Sequence, residues 1–571
     1  MNTIYKFSHI LASALLITAS TLQAQENVIL SSIKKEVDRS KTGLKIDKLQ
    51  SPFYIRYIIY EDHTLDVSAS LGALLNSSEY TRRLGNPTLL VGNYQQNNSR
   101  YLTPSIYYGW NSYPSQITIE NDPQGIATSI WMDLDKKYKS AAEAYEAKQA
   151  IVRHQNLNKE ELELPDFEQI TPVQLQVTPQ KMKMDKVYWE NFAKKASALL
   201  IKYPQINSSS VEITVGERTL YYYDTENTQY MLPVPYYKIK LGLQTMTDDG
   251  QELSDDLYFE HPTFEQMPDL DTFISQCEDF ISYFIQLKNA PIIDESYNGP
   301  VLFEKMALAE AFYYKFFTPG LIAKGKSIAS KEMERYDGNA AEGNNQEMMT
   351  NKKIISRSLS IKSLTGTQIY DGMKLDGYYP IDAEGAVPDK ELVLVENGVL
   401  RNMLNGRTPT LKNKHTNGHA RYNVQRQTTS ITPGNLQLIS NETYSPEELK
   451  QKLLSAAKEE DLDYAYIIRR LRGYSPLAVY RVYLKDGREE LVRGVNLPDF
   501  TMRSFKRVLG ATRTNYLYNT YFGGLITYIV PEGLLLEELE VTRDNNLSLK
   551  TPYIVPQPEI TPEKETKKKK K

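Results

Sequence analysis

The chain has 571 residues, 24% of them charged and 41% hydrophobic, with a formal net charge of −4 and one cysteine, Cys277. That length supports two or three domains, each with a core of its own. Near-balanced charge argues against a nucleic-acid-binding protein, and a single cysteine excludes an intramolecular disulfide.

In chain order, residues 1–24 read as a secretory signal: Lys6, an apolar run from Phe7 through Leu22, then Ala24 before Gln25-Glu26. The mature protein is therefore expected to be exported, to a periplasmic compartment. No later run approaches the roughly 18–20 apolar residues of a membrane span, so none is expected. Residues 51–94 look like an antiparallel meander in which Phe53, Ile55 and Tyr57, then Leu65, Val67, Ala69 and Leu71, alternate, with a turn at Gly85-Asn86-Pro87. A helix is expected from Asp133, as N-cap, to about His154, with Tyr138, Ala141, Ala142 and Tyr145 on its buried side. A second runs from Asp185 to Lys202, where Trp189, Phe192, Ala193, Ala196, Leu199 and Leu200 form the apolar stripe.

From Ser209 the period becomes two: Val211, Ile213 and Val215, a turn at Gly216, then Leu220 and Tyr222, and later Ile239, Leu241 and Leu243. Cys277 lies at helical spacing with Phe273, Ile274, Phe280, Ile281 and Phe284, which marks a packed core thiol. The Pro-flanked segment 291–300 is the best domain boundary. The expected class is α+β: an N-terminal α+β domain of antiparallel sheet and helices over 25–290, then a mainly antiparallel β domain over 291–555.

In that second half, Val301, Leu302, Met306, Ala309, Phe312, Tyr313 and Phe316 recur at three-and-four spacing, so a helix of about four turns is predicted there. Residues 331–353 are polar and rich in Gly and Asn, the composition of a long loop. Asn397-Gly398 and Asp486-Gly487 sit between apolar runs and predict hairpins. Ser445-Pro446-Glu447-Glu448 is a capping box that opens a helix with Leu449, Leu453, Leu454 and Ala457 on one face. The lysine-rich tail, 556–571, cannot fold by itself.

Several stretches of this half resemble the TldD/PmbA family of metalloprotease-like proteins. They are Gly299–Tyr314; Asp382, Glu384, Gly385 and Pro388 followed by LVLVENGVLRNMLNGR; TNGHARYN over 416–423; and GREELVRGVNLPDFTMRSFKRVLGA over 487–511. The resemblance covers about 297–511 and implies a TldD/PmbA-like C-terminal domain. In active members the helix carries a His-Glu-x-x-x-His zinc motif, which falls here on AEAFYY. Ala309 and Tyr314 then occupy the histidine positions, and Glu310 alone survives. A methyl group has no lone pair, and a phenol is a poor zinc donor at neutral pH. The family's third ligand is a late cysteine, and this chain has none after Cys277. No cofactor is therefore expected and no catalytic residue is assigned; Glu310 is a vestigial candidate, read either as a solvated or ion-paired helix residue or as one retained in a groove.

The resemblance also implies a zinc-less subunit that pairs with a zinc-bearing TldD-like paralogue, or with itself, around a chamber for unfolded peptide. His415, Asn417, His419 and Arg421 are the peptide-groove candidates, with Arg421 suited to a carboxylate. Two alternatives stay open: a peptidase with rearranged metal ligands, using His415 and His419 with Glu310 or Asp382, and a non-enzymatic peptide-binding scaffold. No Gly-x-Ser-x-Gly nucleophile elbow is present to suggest a serine hydrolase.

Overall fold

The computed structural model describes residues 27–102, 115–154, 159–179, 182–317, 320–325, 327–329, 333, 346–423, 428–473, 475–521 and 524–550. The expected signal segment, the middle of the 331–353 loop and the lysine-rich tail lie outside them. The architecture is α+β, as expected, and mostly antiparallel.

The N-terminal half is a seven-stranded sheet built on two long hairpins, Pro52–Ser70 with Ala73–Val91 and Ser208–Asp224 with Gln229–Met246. Alternation along these strands sorts their side chains. Ile55, Tyr57 and Ile59 face the helices Val28–Gly43 and Pro123–His154, whereas Leu65, Val67 and Ala69 face Lys186–Ala198 and Leu270–Asn289. Cys277 is in this second cluster, 1% exposed, and burial pushes its thiol up to about 12, which fits the packed thiol expected. The opposite face, with Ile58, Tyr60, Tyr222 and Tyr230, packs on Ile381, Ala383 and Tyr422 from the C-terminal half.

Two glycines read as turns lie inside these strands. Gly85 pairs with Ile59 and Gly216 with Thr64 and Tyr236. A Cβ at either would collide with a tyrosine hydroxyl, Tyr57 at Gly85 and Tyr236 at Gly216, so the missing side chain makes room for a ring crossing the neighbouring strand. The chain actually reverses at Leu71-Gly72, both with positive φ, and at Asn227. The Pro123–His154 helix begins eleven residues before the expected start: Asp122 caps it by accepting from Gly125 N–H, and Asp133 is an interior residue that accepts from the Tyr57 hydroxyl.

The C-terminal half holds a six-stranded and an eight-stranded sheet around the largest apolar core. Residues predicted to open a helix form instead the strand Tyr297–Glu304, central in the eight-stranded sheet. Val301 and Phe303 point into the core between the sheets, and Leu302 points out to Leu449 and Leu453 of the capped helix Pro446–Glu459. A strand buried on both faces reads as a continuous apolar run, which periodicity alone does not separate from a helix. Both hairpins form as expected, with Asn397 and Gly398 at positive φ between Leu392–Glu396 and Val399–Leu400, and Gly487 between Ser475–Tyr483 and Glu489–Val492.

Candidate functional site

After Glu304 the chain breaks stride at Lys305, whose φ of 46° and ψ of −115° turn it sharply into the short helix Met306–Ala311 and the π-helical turn Phe312–Phe317. This places Ala309 wholly in the core and Tyr314 at its margin. Glu310 is buried, at 8% exposure, and is not the solvated helix residue of the first reading. Its Oε1 accepts from the Tyr518 hydroxyl at 2.6 Å and its Oε2 from Gly473 N–H at 3.3 Å. The Tyr518 oxygen is bonded in turn to the Tyr258 hydroxyl. Because the Tyr518 proton is committed to the carboxylate, Tyr258 is the donor of that second bond. Burial raises the Glu310 pKa, opposed by the two hydrogen bonds and by Arg470 and Arg472 nearby. Arg470 is itself held by both Asp255 oxygens at 3.0 Å.

These residues do not fit a zinc ion. The position of one expected imidazole is a buried methyl, the other is a phenol, and both oxygens of the only carboxylate already accept hydrogen bonds. Among the described residues no group of three His, Cys, Asp or Glu side chains is placed to hold a metal.

The four groove candidates share one loop and the strand that follows it, but they do not face one way. His415 is 87% exposed at its side chain and its Nδ1 lies 2.9 Å from Glu168 Oε1. Asn417 is knotted to Asn405: each side-chain oxygen accepts the other's backbone N–H at 3.0 Å. Arg421 turns inward, donating to Pro433 O at 2.9 Å and Leu525 O at 2.8 Å, with its guanidinium over the Tyr379 ring.

His419 is fully buried. Its Nδ1 lies 2.8 Å from Asn417 Oδ1, and its Nε2 lies 2.9 Å from Ser363 Oγ and 3.2 Å from Thr365 Oγ1. Asn417 Oδ1 already accepts a backbone N–H, so it is the amide oxygen and His419 carries its proton on Nδ1. The outline is that of a hydroxyl, imidazole and amide in series. It cannot work as a nucleophilic relay, because burial depresses His419 to about 3, Nε2 is occupied by two hydroxyls, and no substrate reaches a fully enclosed ring. It is equally unavailable to a rearranged metal site.

Asp382 beside it is also structural. Its oxygens accept three backbone N–H groups, from Glu384, Ala386 and Ala420, at 2.8–3.0 Å. Burial, helped by Glu384, raises it to about 7.

Three participants had no sequence signal. Ser363 and Thr365 meet His419 across more than fifty residues, and Tyr518 meets Glu310 across 208. Arg407, with no exposure, fastens the two halves together: it donates to both Glu226 oxygens at 2.8 and 2.7 Å and to Glu168 O, and it lies over the Phe167 ring.

Residues 296–521 match the model of the PmbA/TldA metallopeptidase C-terminal domain. Three solved structures share the fold, each with a TM-score of 0.54. A proposed modulator of a DNA gyrase from Thermotoga maritima is 15% identical, over 86% of this chain and 96% of that one. TldE from Thermococcus kodakarensis is 10% identical, over 89% and 99%. A proposed modulator of DNA gyrase from Bacteroides thetaiotaomicron is 10% identical, over 90% and 98%. No curated protein sequence matches the chain.

Proposed function

The chain belongs to the TldD/PmbA family, and from that premise we propose that it is an exported, zinc-less and catalytically inactive member that pairs with a zinc-bearing paralogue and binds unfolded peptide. One observation carries the reading. At the family's motif the imidazole positions hold Ala309 and Tyr314, and the remaining Glu310 is locked by Tyr518 and Gly473. A carboxylate in that state has no metal-bound water to activate, and water without a metal keeps a pKa near about 15.7. Pairing supplies the missing chemistry from the other subunit. Extended peptide is the substrate class that a strand-rich wall holds through main-chain hydrogen bonds. Among the described residues no helix is long and apolar enough to cross a membrane.

Metal analysis and peptidase assays of the purified chain, alone and co-expressed with a paralogue bearing an intact His-Glu-x-x-x-His motif, test this. The expected result is no stoichiometric zinc and no cleavage alone, with chelator-sensitive cleavage only in the complex. One equivalent of tightly held zinc and chelator-sensitive cleavage by this chain alone overturns it. Sequencing the N-terminus of the secreted or periplasmic form tests export, with a start at Gln25 expected.

A further inference from the structure

The strands Asn435–Ser440 and Leu525–Pro531 run parallel in the six-stranded sheet, yet they pair only over Asn435–Gln437 against Thr527–Ile529. The cause is one residue. Thr527 donates its N–H to Gly434 O, and a parallel ladder repeats such a bond every second residue, so the next donors in line are residues 529 and 531. Residue 531 is Pro531, which has no N–H to give. The paired register ends short of that point, and a cleft of about 510 Å³ lies beside it, bordered by Ile439, Ser440, Thr443, Arg513, Asn515 and Pro531.

The other edge of Asn435–Ser440 is paired throughout with Leu359–Ser363. Two bonds flanking that pairing, Leu364 N–H to Asn435 O and Asn441 N–H to Ser358 O, fix its phase. Residues 435, 437 and 439 therefore bond to the Leu359–Ser363 side, and 436, 438 and 440 turn their backbone groups the opposite way. Past the last paired position, the Leu438 carbonyl and the Ser440 N–H border the cleft. The charged side chains around it are matched among themselves: Lys362 with Glu391 at 2.7 Å and Arg513 with Glu448 at 3.4 Å. The Gln437 amide donates to the Tyr370 hydroxyl. An ion finds no surplus charge there, and what the cleft offers is an unfinished strand edge.

We propose that this cleft takes a short extended segment of an unfolded polypeptide, which resumes the interrupted ladder beside Leu438–Ser440. The proposal rests on the peptide-binding reading above and gives it a place. The guest strand supplies to Leu438 O the N–H that Pro531 lacks, and it accepts from Ser440 N–H. Main-chain pairing is indifferent to side-chain sequence. A guest of three or four residues spans about 10–13 Å.

Cys277 is buried, so Ser440→Cys puts one reactive thiol at the cleft mouth, and Thr42→Cys on an exposed helix end serves as control. The probe is fluorescein-labelled, reduced and carboxymethylated α-lactalbumin, titrated by anisotropy against the full mature chain. The expected result is that the probe binds, that saturating probe slows maleimide labelling at Ser440→Cys at least tenfold without slowing it at Thr42→Cys, and that Ser440→Trp weakens binding at least tenfold. Binding without selective protection, or with undiminished affinity in Ser440→Trp, overturns the cleft and leaves the peptide-binding reading standing. No binding by the wild-type chain overturns both.

Discussion

Glu310 and His419 are both buried in the C-terminal half, both hydrogen-bonded at every heteroatom of the functional group, and both of a residue type that enzymes use, yet burial moves them in opposite senses. The carboxyl is pushed up and the imidazole down, because low polarity penalises the charged form of each. Glu310 stands where the resemblance to the TldD/PmbA family puts a zinc motif, between an alanine and a tyrosine at the histidine positions. His419 stands in no motif, yet has neighbours arranged like a relay. The difference separates two properties: sequence pattern reports which residues a position inherited, whereas reactivity depends on a free lone pair and a path to solvent. Neither region has both.

The comparison breaks most visibly if chemistry can be put back at the Glu310 region. In the double variant Ala309→His and Tyr314→His, an imidazole replaces a fully enclosed methyl. Overpacking costs about 1–3 kcal/mol, and an imidazole nitrogen without a partner costs about 1–3 kcal/mol more. The expected outcome is a large fall in the urea midpoint and no stoichiometric zinc by metal analysis, since the chain has no cysteine after Cys277 to serve as the late third ligand that the family resemblance implies. Recovery of one zinc per chain would show that Glu310 is still poised to work beside a metal.

At the other region, His419→Ala removes the acceptor shared by Ser363 and Thr365 and the donor to Asn417. A cavity and unmatched hydroxyls together cost about 2–4 kcal/mol, read by chemical denaturation at pH 7.5. The pH profile carries a sign. His419 has a folded pKa of about 3 against an ordinary value of 6.5, so the unfolded chain takes up the proton first. Its contribution is present above about 6.5 and drains away as pH falls toward 3, with a slope of at most about 1.4 kcal/mol per pH unit. The variant should therefore lose stability less steeply on acidification than the wild type.

What was legible in the sequence follows the same division. The capping box at Ser445–Glu448 and the turns at Asn397-Gly398 and Gly487 form as read, since they depend on residues within a few positions of one another. Gly85 and Gly216 misled because the same absent side chain permits either a turn or the passage of a ring, and the partners Tyr57 and Tyr236 are remote in sequence. Val301-Leu302-Phe303 misled because both faces of that strand are buried, one by the opposing sheet and one by the Pro446–Glu459 helix. At the site, that neither Ala309 nor Tyr314 offers an imidazole was plain from residue type. The burial of Glu310 under Tyr518 was not, since hydrogen bonding across 208 residues leaves no local pattern.

Asp382 sharpens the contrast, as a third buried acid that shapes backbone. In Asp382→Asn the amide oxygen can keep the Glu384 and Ala386 N–H groups, but the amide NH₂ then faces Ala420 N–H, donor against donor. A loss of about 1–3 kcal/mol is expected, with faster hydrogen exchange over 382–386 and 419–421. Because the Asp382 pKa is raised to about 7, the stability it contributes through protonation in the fold is present below about 4 and lost as pH rises through 7.

The smallest effect is the most discriminating. Glu310→Gln preserves shape and keeps an oxygen for one of the two donors, Tyr518 and Gly473 N–H, while the NH₂ meets the other. Where Glu310 is protonated, it has the same one-sided hydrogen-bonding pattern, so the substitution should change stability least, by less than about 1 kcal/mol, at the acid end of the pH profile. Raising the pH ionises the wild-type residue in a buried place. Its folded pKa is raised, so the stability it contributes is greatest below the ordinary carboxyl range and is lost as pH rises through the folded value. Glutamine does not titrate. Measured by urea unfolding at pH 5 and pH 8, the variant should gain on the wild type as pH increases, the reverse of the sense predicted at His419. If it loses ground instead, the anion is the form that Tyr518, Gly473 and the two arginines favour, and Glu310 is held as a charge after all.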